Sequence, residues 1–148
     1  MLSNASQYAI RAVLFLAEKS NKTTKFSAVE ISDALEIPFH FIAKLLQLLV
    51  KKKVVSSTKG PNGGFFMTSK NTELKICDVL VVIETKKVFE GCFLGLSICG
   101  DENPCPVHHI VAKFKSELFA KFEQQSIKNF AKEIKENGTY ISLKGIYP

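Results

Sequence analysis

A chain of 148 residues suits one domain, or one small domain with an appendage, and is long enough to bury a proper core without disulfide staples. Its formal charge of +6 lies wholly in one half: residues 1–70 carry nine lysines and Arg11 against four acids, whereas residues 71–148 carry ten lysines against ten acids. The asymmetry points the amino-terminal half toward a polyanion, nucleic acid first, although a lysine-rich solvated surface has the same signature; and Met1–Ser20, lacking a basic leader and interrupted by Gln7, Tyr8, Arg11 and Glu18, is neither a signal peptide nor a membrane span.

Ala5, Ala9, Ala12, Val13, Leu16 and Ala17 recur at helical spacing and predict an amphipathic first helix over residues 3–20. Ser27 with Glu30 three residues later has the form of a capping box and opens a short second helix through Val29, Ile31, Ala34 and Leu35. Ile37–Pro38 then breaks the chain, and Phe41, Ile42, Leu45, Leu46, Leu48 and Leu49 carry a third helix to about Lys52, with Pro38 in its first turn. Two short helices with a tight joint are the pattern of a helix-turn-helix. Val54–Thr58 and Phe65–Thr68 read as strands around the turn run Lys59–Gly64, a β-hairpin that completes a winged helix.

Leu74, Ile76, Cys77, Leu80, Val81 and Ile83 give a fourth helix, packed across the wing and the first helix, with Cys77 as a core residue. From Pro106 a stripe of Val107, Ile110, Val111, Phe114, Leu118, Phe122, Ile127, Phe130 and Ile134 predicts one helix of roughly 30 residues, ending at Asn137–Gly138. Its length favours antiparallel packing against a second copy. The tail from Thr139 to Pro148 is a short strand or disordered. The expected organisation is a winged-helix domain over 1–84, a cysteine loop over 85–106, a dimerisation helix over 107–137 and a tail over 138–148, in a mainly α fold with a small β wing.

Between the fourth helix and the long stripe stand Cys92, Cys99 and Cys105, followed by His108 and His109, in a loop rich in glycine and proline. A loop folds several thiolates around one centre, so the cluster suggests a metal or iron–sulfur site. A disulfide pair with a spare thiol, three buried apolar residues, or zinc are the alternatives. In a cytoplasmic chain, where thiols stay reduced, clustered cysteines bind metal more often than each other. There is no Ser/His/Asp grouping, phosphate loop or pair of carboxylates in a pocket, and the chain is not read as an enzyme.

These elements together resemble the bacterial winged-helix regulators typified by IscR and NsrR, the Rrf2 family. The matching stretches are Tyr8–Ala9–Ile10–Arg11–Ala12, Ile31 through Pro38 into Phe41–Leu49, the wing Lys59–Phe65, and the three-cysteine loop; together they span about residues 1–136. The resemblance implies a dimer formed through the long last helix, binding to palindromic double-stranded operators, and an iron–sulfur cluster, two-iron ahead of four-iron, with zinc as the lesser alternative. By position it makes Cys92, Cys99 and Cys105 the thiolate ligands. IscR-like members use a histidine three residues after the last cysteine, the place of His108. NsrR-like members use an aspartate just before the helix-one tyrosine, contributed by the other subunit, where this chain has Gln7.

His40, Ala43, Lys44 and Gln47 lie on the polar side of the third helix, where they would reach bases or phosphates, and Lys59, Gly60 and Pro61 form the wing tip. Some relatives carry a glutamate near Ala43, and Lys59 stands where arginine is usual. Lys51–Lys53 are either a solvated helix end or further phosphate contacts, and Tyr8 either packs beneath the third helix or touches DNA. The expected function is a cytoplasmic, homodimeric transcriptional regulator, a repressor, whose cluster reports iron–sulfur supply, nitric oxide or redox stress. The alternative is a winged-helix regulator controlled by a protein partner or a structural zinc.

Overall fold

A computed structural model of the chain describes residues 2–84 and 87–146. Its spine is α1 (Asn4–Lys19), opened by Ser3, whose hydroxyl accepts from the Ser6 N–H. Ala9, Ala12, Val13 and Leu16 on α1 are wholly buried. Two of these are alanines, which let neighbouring helices approach closely.

The Ser27–Glu30 capping box forms as the sequence predicts and starts α2 (Ala28–Leu35). Glu36 follows in the left-handed conformation, φ 54°, which reverses the chain. Ser32 Oγ donates to the Ile37 carbonyl at 2.6 Å and the Ile37 side chain is buried beneath the joint. α3 (Phe39–Lys51) starts one residue after Pro38, which is the cap rather than a member of the first turn. Ile42, Leu46 and Leu49 turn inward, while Phe41, expected on the apolar face, is 50% exposed with its ring centroid 6.2 Å from that of Tyr8. Tyr8 thus packs against the helix-turn-helix.

The hairpin is shorter than the sequence suggests: β1 (Ser56–Thr58) pairs antiparallel with β2 (Gly64–Phe66), Ser57 opposite Phe65. Val54 and Val55 are not strand but core, their N–H groups both directed at the Leu49 carbonyl. Phe26 exchanges both backbone hydrogen bonds with Phe65, at 3.0 and 2.8 Å, and fixes the wing to the turn before α2. Thr68 leaves the sheet to cap a short helix, α4 (Ser69–Thr72), that the sequence reading did not anticipate.

α5 (Ile76–Glu84) packs on α1 and α3, with Cys77 buried as expected. α6 (Lys87–Glu90) leads into the cysteine loop. The carboxy-terminal helical stretch occupies the expected residues but is divided into α7 (His108–Gln124) and α8 (Ile127–Asn137). The division has a physical cause: Gln125 is extended, the Ser126 hydroxyl accepts from the Asn129 N–H, and the Ile127 N–H bonds the Leu74 carbonyl at 2.8 Å. α8 thereby folds back on α1 and buries Ile127 and Ala131, whereas α7 buries no residue. The tail is irregular over the described residues; the Ile141 carbonyl accepts from Arg11 Nε at 2.6 Å, and Tyr147 and Pro148 lie outside the described residues. Among those residues no helix is long and apolar enough to cross a membrane.

The wing depends on a close backbone approach. A Cβ at Gly63 would stand 2.3 Å from the Thr58 carbonyl oxygen. Gly63→Ala should lower the unfolding free energy by about 1–3 kcal/mol in denaturant titration, with the largest amide shifts in the hairpin; a variant of parental stability with unmoved hairpin resonances would contradict this packing.

Candidate metal centre and nucleic-acid interface

The loop from Gly91 to Val107 is held by local backbone bonds rather than by a sheet. The Gly95 N–H donates to the Cys92 carbonyl at 3.1 Å, with Gly95 at φ 77°, a turn that glycine makes without strain. The Asn103 N–H closes a second turn on the Gly100 carbonyl at 3.1 Å, and the His108 N–H reaches the Cys105 carbonyl at 3.0 Å. Lys115 Nζ donates to the Gly91 carbonyl at 2.5 Å, tying the loop entrance to α7.

These turns gather Cys92, Cys99 and Cys105 so that their three Sγ atoms lie within 4.8 Å of one another, Cys92 and Cys105 at 3.9 Å. All three are free thiols, Cys105 buried and the others half-buried. They line, with Phe89, His108 and Val111, a cavity of about 60 Å³. One water needs roughly 10–15 Å³ of such space, so a small polyatomic group is accommodated as well as a single ion. The donors are soft, which suits iron–sulfur clusters or zinc and disfavours magnesium or calcium.

His108, the first residue of α7, stands beside the thiols rather than among them. Its Nδ1 is 3.3 Å from Cys99 Sγ and its Nε2 is 3.2 Å from Asp101 Oδ1. His109 is exposed, its ring 5.2 Å from that of His108, and Asp101, His108 and His109 form a second group of closely spaced ligand atoms. Asp101 was not legible as a participant, because only the turn at Gly100–Asn103 brings it to His108. Gln7 is exposed on α1 and its Nε2 donates to the Leu2 carbonyl at 3.1 Å.

The thiols differ in acidity. Cys92 is lowered to about 7, first by the Leu96 backbone and further by the Leu94 backbone and the neighbouring cysteines, which stabilise its thiolate. The Cys105 backbone favours the Cys99 thiolate, but desolvation and the adjacent Cys92 and Cys105 side chains outweigh it and raise that thiol. Cys77, away from the loop, is pushed up to about 11 by burial and by the nearby Glu123 and Asp78.

On α3, His40, Lys44 and Gln47 are exposed and Ala43 is half-buried between them. Lys59, Gly60 and Pro61 are exposed at the wing tip, and Lys51–Lys53 are exposed at the end of α3. Lys25 joins this basic surface: its Nζ donates to Thr58 Oγ1 at 3.0 Å and lies 5.1 Å from the Phe66 ring centroid. Lys25 carries no local signal in the sequence; its place at the wing base follows from the Phe26–Phe65 bridge.

The family model for Rrf2, the iron-dependent transcriptional regulators, matches residues 2–133. A protein of Aquifex aeolicus described as an HTH-type transcriptional regulator is 32% identical over 131 residues, 87% of this chain and 90% of that one. The regulator NsrR of Oceanobacillus iheyensis is 25% identical over 146 residues, 98% of this chain and 97% of its own. Among solved structures, T. potens IscR superposes with a TM-score of 0.71 at 18% identity, covering 95% of this chain and 92% of that one, a likeness of fold.

The acidities can be measured directly on reduced, metal-free protein. Iodoacetamide should alkylate Cys92 with a rate that rises through a midpoint of about 7, because the thiolate is the nucleophile and forms as pH passes the pKa. Cys77 should stay unmodified at that pH. Peptide mapping that finds all four cysteines reacting together with one alkaline midpoint would contradict the assignment.

Proposed function

The chain belongs to the Rrf2 family of iron-dependent transcriptional regulators, and we propose that it is a homodimeric repressor whose grip on a palindromic operator is set by an iron–sulfur cluster on Cys92, Cys99, Cys105 and His108. The observation that carries the reading is the gathering of three free thiols on one cavity, with an imidazole nitrogen 3.3 Å from one of them. Three thiolates and a neutral imidazole are a donor set for a two-iron cluster, with a four-iron cluster as the variant. When bound, such a cluster supplies chemistry sensitive to oxidants, nitric oxide and iron–sulfur supply.

The chain's own residues connect that site to the DNA reader. Phe89, on the loop's approach, stacks edge-on against Phe119 of α7 at 4.8 Å between centroids, and the Phe119 carbonyl lies 3.7 Å from Cys77 Sγ of α5. α5 in turn packs on α1 and α3, and its Glu84 accepts from Ser6 Oγ at 2.7 Å and from the Ser3 hydroxyl at the start of α1. A change in the loop's shape would therefore move α6 and α7 against α5, and α5 against the helix-turn-helix.

α7 supports the dimer. It is 17 residues long with none buried, and its Ile110 is 74% exposed with Phe114 also exposed one turn later. A second copy packed antiparallel would cover this stripe. On the DNA side, His40, Ala43, Lys44 and Gln47 would face the major groove, and Lys59, Gly60 and Pro61 the flanking backbone or minor groove. The bound-protein alternative would leave the thiol loop idle; nothing in the geometry favours it over the cluster.

Protein purified without oxygen should be coloured and carry iron and acid-labile sulfide, and Cys99→Ala should lose both; a colourless protein holding stoichiometric zinc would overturn the cluster. In mobility-shift titrations on a selected operator, Lys44→Ala and Lys59→Ala should each weaken binding and shallow the log–log salt dependence by about 1.8, because each removes one phosphate contact, worth about 0.9, from both protomers of the dimer. An unchanged slope would remove those residues from the interface.

A further inference from the structure

We infer that Asp101 is a positioning residue for the metal centre: its carboxylate holds the proton of His108 on Nε2, leaving the Nδ1 lone pair turned toward the thiols as the donor atom. The inference rests on the proposed role of His108 as a ligand and adds which nitrogen is used and what selects it.

The geometry is specific to the two faces of one ring. Asp101 Oδ1 lies 3.2 Å from Nε2, and Cys99 Sγ lies 3.3 Å from Nδ1. An ionised carboxylate only accepts hydrogen bonds, and a neutral imidazole has a single N–H, so a bond to Asp101 puts that N–H on Nε2. The other nitrogen then carries the lone pair on the thiol side. A ligating histidine commonly gives its remote N–H to a carboxylate, which fixes both tautomer and ring orientation.

The chain is built to make this contact. Asp101 sits between Cys99 and Cys105, in the turn closed by the Asn103 N–H on the Gly100 carbonyl at 3.1 Å, so the fold that gathers the thiols also delivers the carboxylate. The His108 backbone N–H donates to the Cys105 carbonyl at 3.0 Å, which fixes the main chain that carries the ring. The His108 side chain is only 16% exposed while that of Asp101 is 93% exposed, so a half-buried ring meets a carboxylate reaching in from solvent. A competing use of the same atoms is a separate divalent-cation site on Asp101, His108 and His109, whose ligand atoms lie within 4.8 Å of one another. The two uses are exclusive at Nε2, which carries either a proton or a metal.

Two measurements on the full chain decide the matter. In metal-free protein at mildly alkaline pH, nitrogen NMR of 15N-histidine protein should show His108 protonated on Nε2, and Asp101→Ala should convert it to a mixture of tautomers. A wild-type His108 protonated on Nδ1, or a tautomer unmoved by Asp101→Ala, overturns the proposal. In cluster-loaded protein, Asp101→Ala should speed iron release to a chelator about tenfold or more, Asp101→Asn, which keeps an acceptor oxygen, should release more slowly than Asp101→Ala, and the Asp101→Ala, His108→Ala double variant should release no faster than His108→Ala alone. An Asp101→Ala effect that persists in full without His108 overturns it. So does zinc binding to a variant with Cys92, Cys99 and Cys105 all changed to serine that is lost equally with Asp101→Ala and His109→Ala, since that assigns Nε2 to a cation. If the wild-type protein takes up no cluster, the sensor reading fails and the NMR result still judges Asp101.

Discussion

Burial of α1 on nearly all sides of its second half is the interaction on which everything else hangs. Ala9, Ala12, Val13 and Leu16 are wholly covered by neighbours on several sides, with α3 and α5 on one part and α8 on another. The helix is therefore common ground: the DNA reader is built on it through α2 and α3, and the arm that carries the cysteine loop is anchored to it through α5 and α8. A helix with this many fully buried positions is a poor place to absorb strain, because close-packed cores have discrete arrangements rather than continuous ones. Under the proposed coupling, a change in the loop would reach α3 as a shift of whole helices.

The helix-turn-helix and the cysteine loop are held together by different means. The helix-turn-helix and wing are locked by local chemistry: the capping box at Ser27, the left-handed Glu36, the Phe26–Phe65 exchange and the close approach at Gly63. The loop, by contrast, owes its shape to a few turns, and three thiols that share one small cavity gain most from a metal that satisfies them together.

How much of this the sequence disclosed depended on whether the signal was local. The capping box, the turn run Lys59–Gly64, the core place of Cys77 and the cysteine loop all announce themselves within a few residues, and each was legible. The break at Ser126 is marked only weakly, by a five-residue step from Phe122 to Ile127 in a stripe that from Phe114 onward otherwise advances by three or four, with Ser126 as a capping residue. Its cause is tertiary: Ile127 finds the core of α1 and the Leu74 carbonyl, so α8 leaves the line of α7. Val54 and Val55 have strand propensity yet are claimed by the Leu49 carbonyl and the core. Asp101 and Lys25 reach His108 and the wing by a turn and a bridge that no spacing rule encodes, so the three-cysteine group could be read from sequence but the contacts around it could not.

The proposed energetic coupling between the cysteine loop and the DNA-reading helix is tested by measuring the affinity of the same protein for the same operator, without oxygen and at one salt concentration, with the metal site loaded and after the metal has been removed by a chelator. Coupling through α5 and α7 predicts affinities that differ by about 5- to 150-fold, the usual range for linked sites. Equal affinities in the two states would contradict the account and reduce the cluster to a passenger on a constitutive DNA-binding fold.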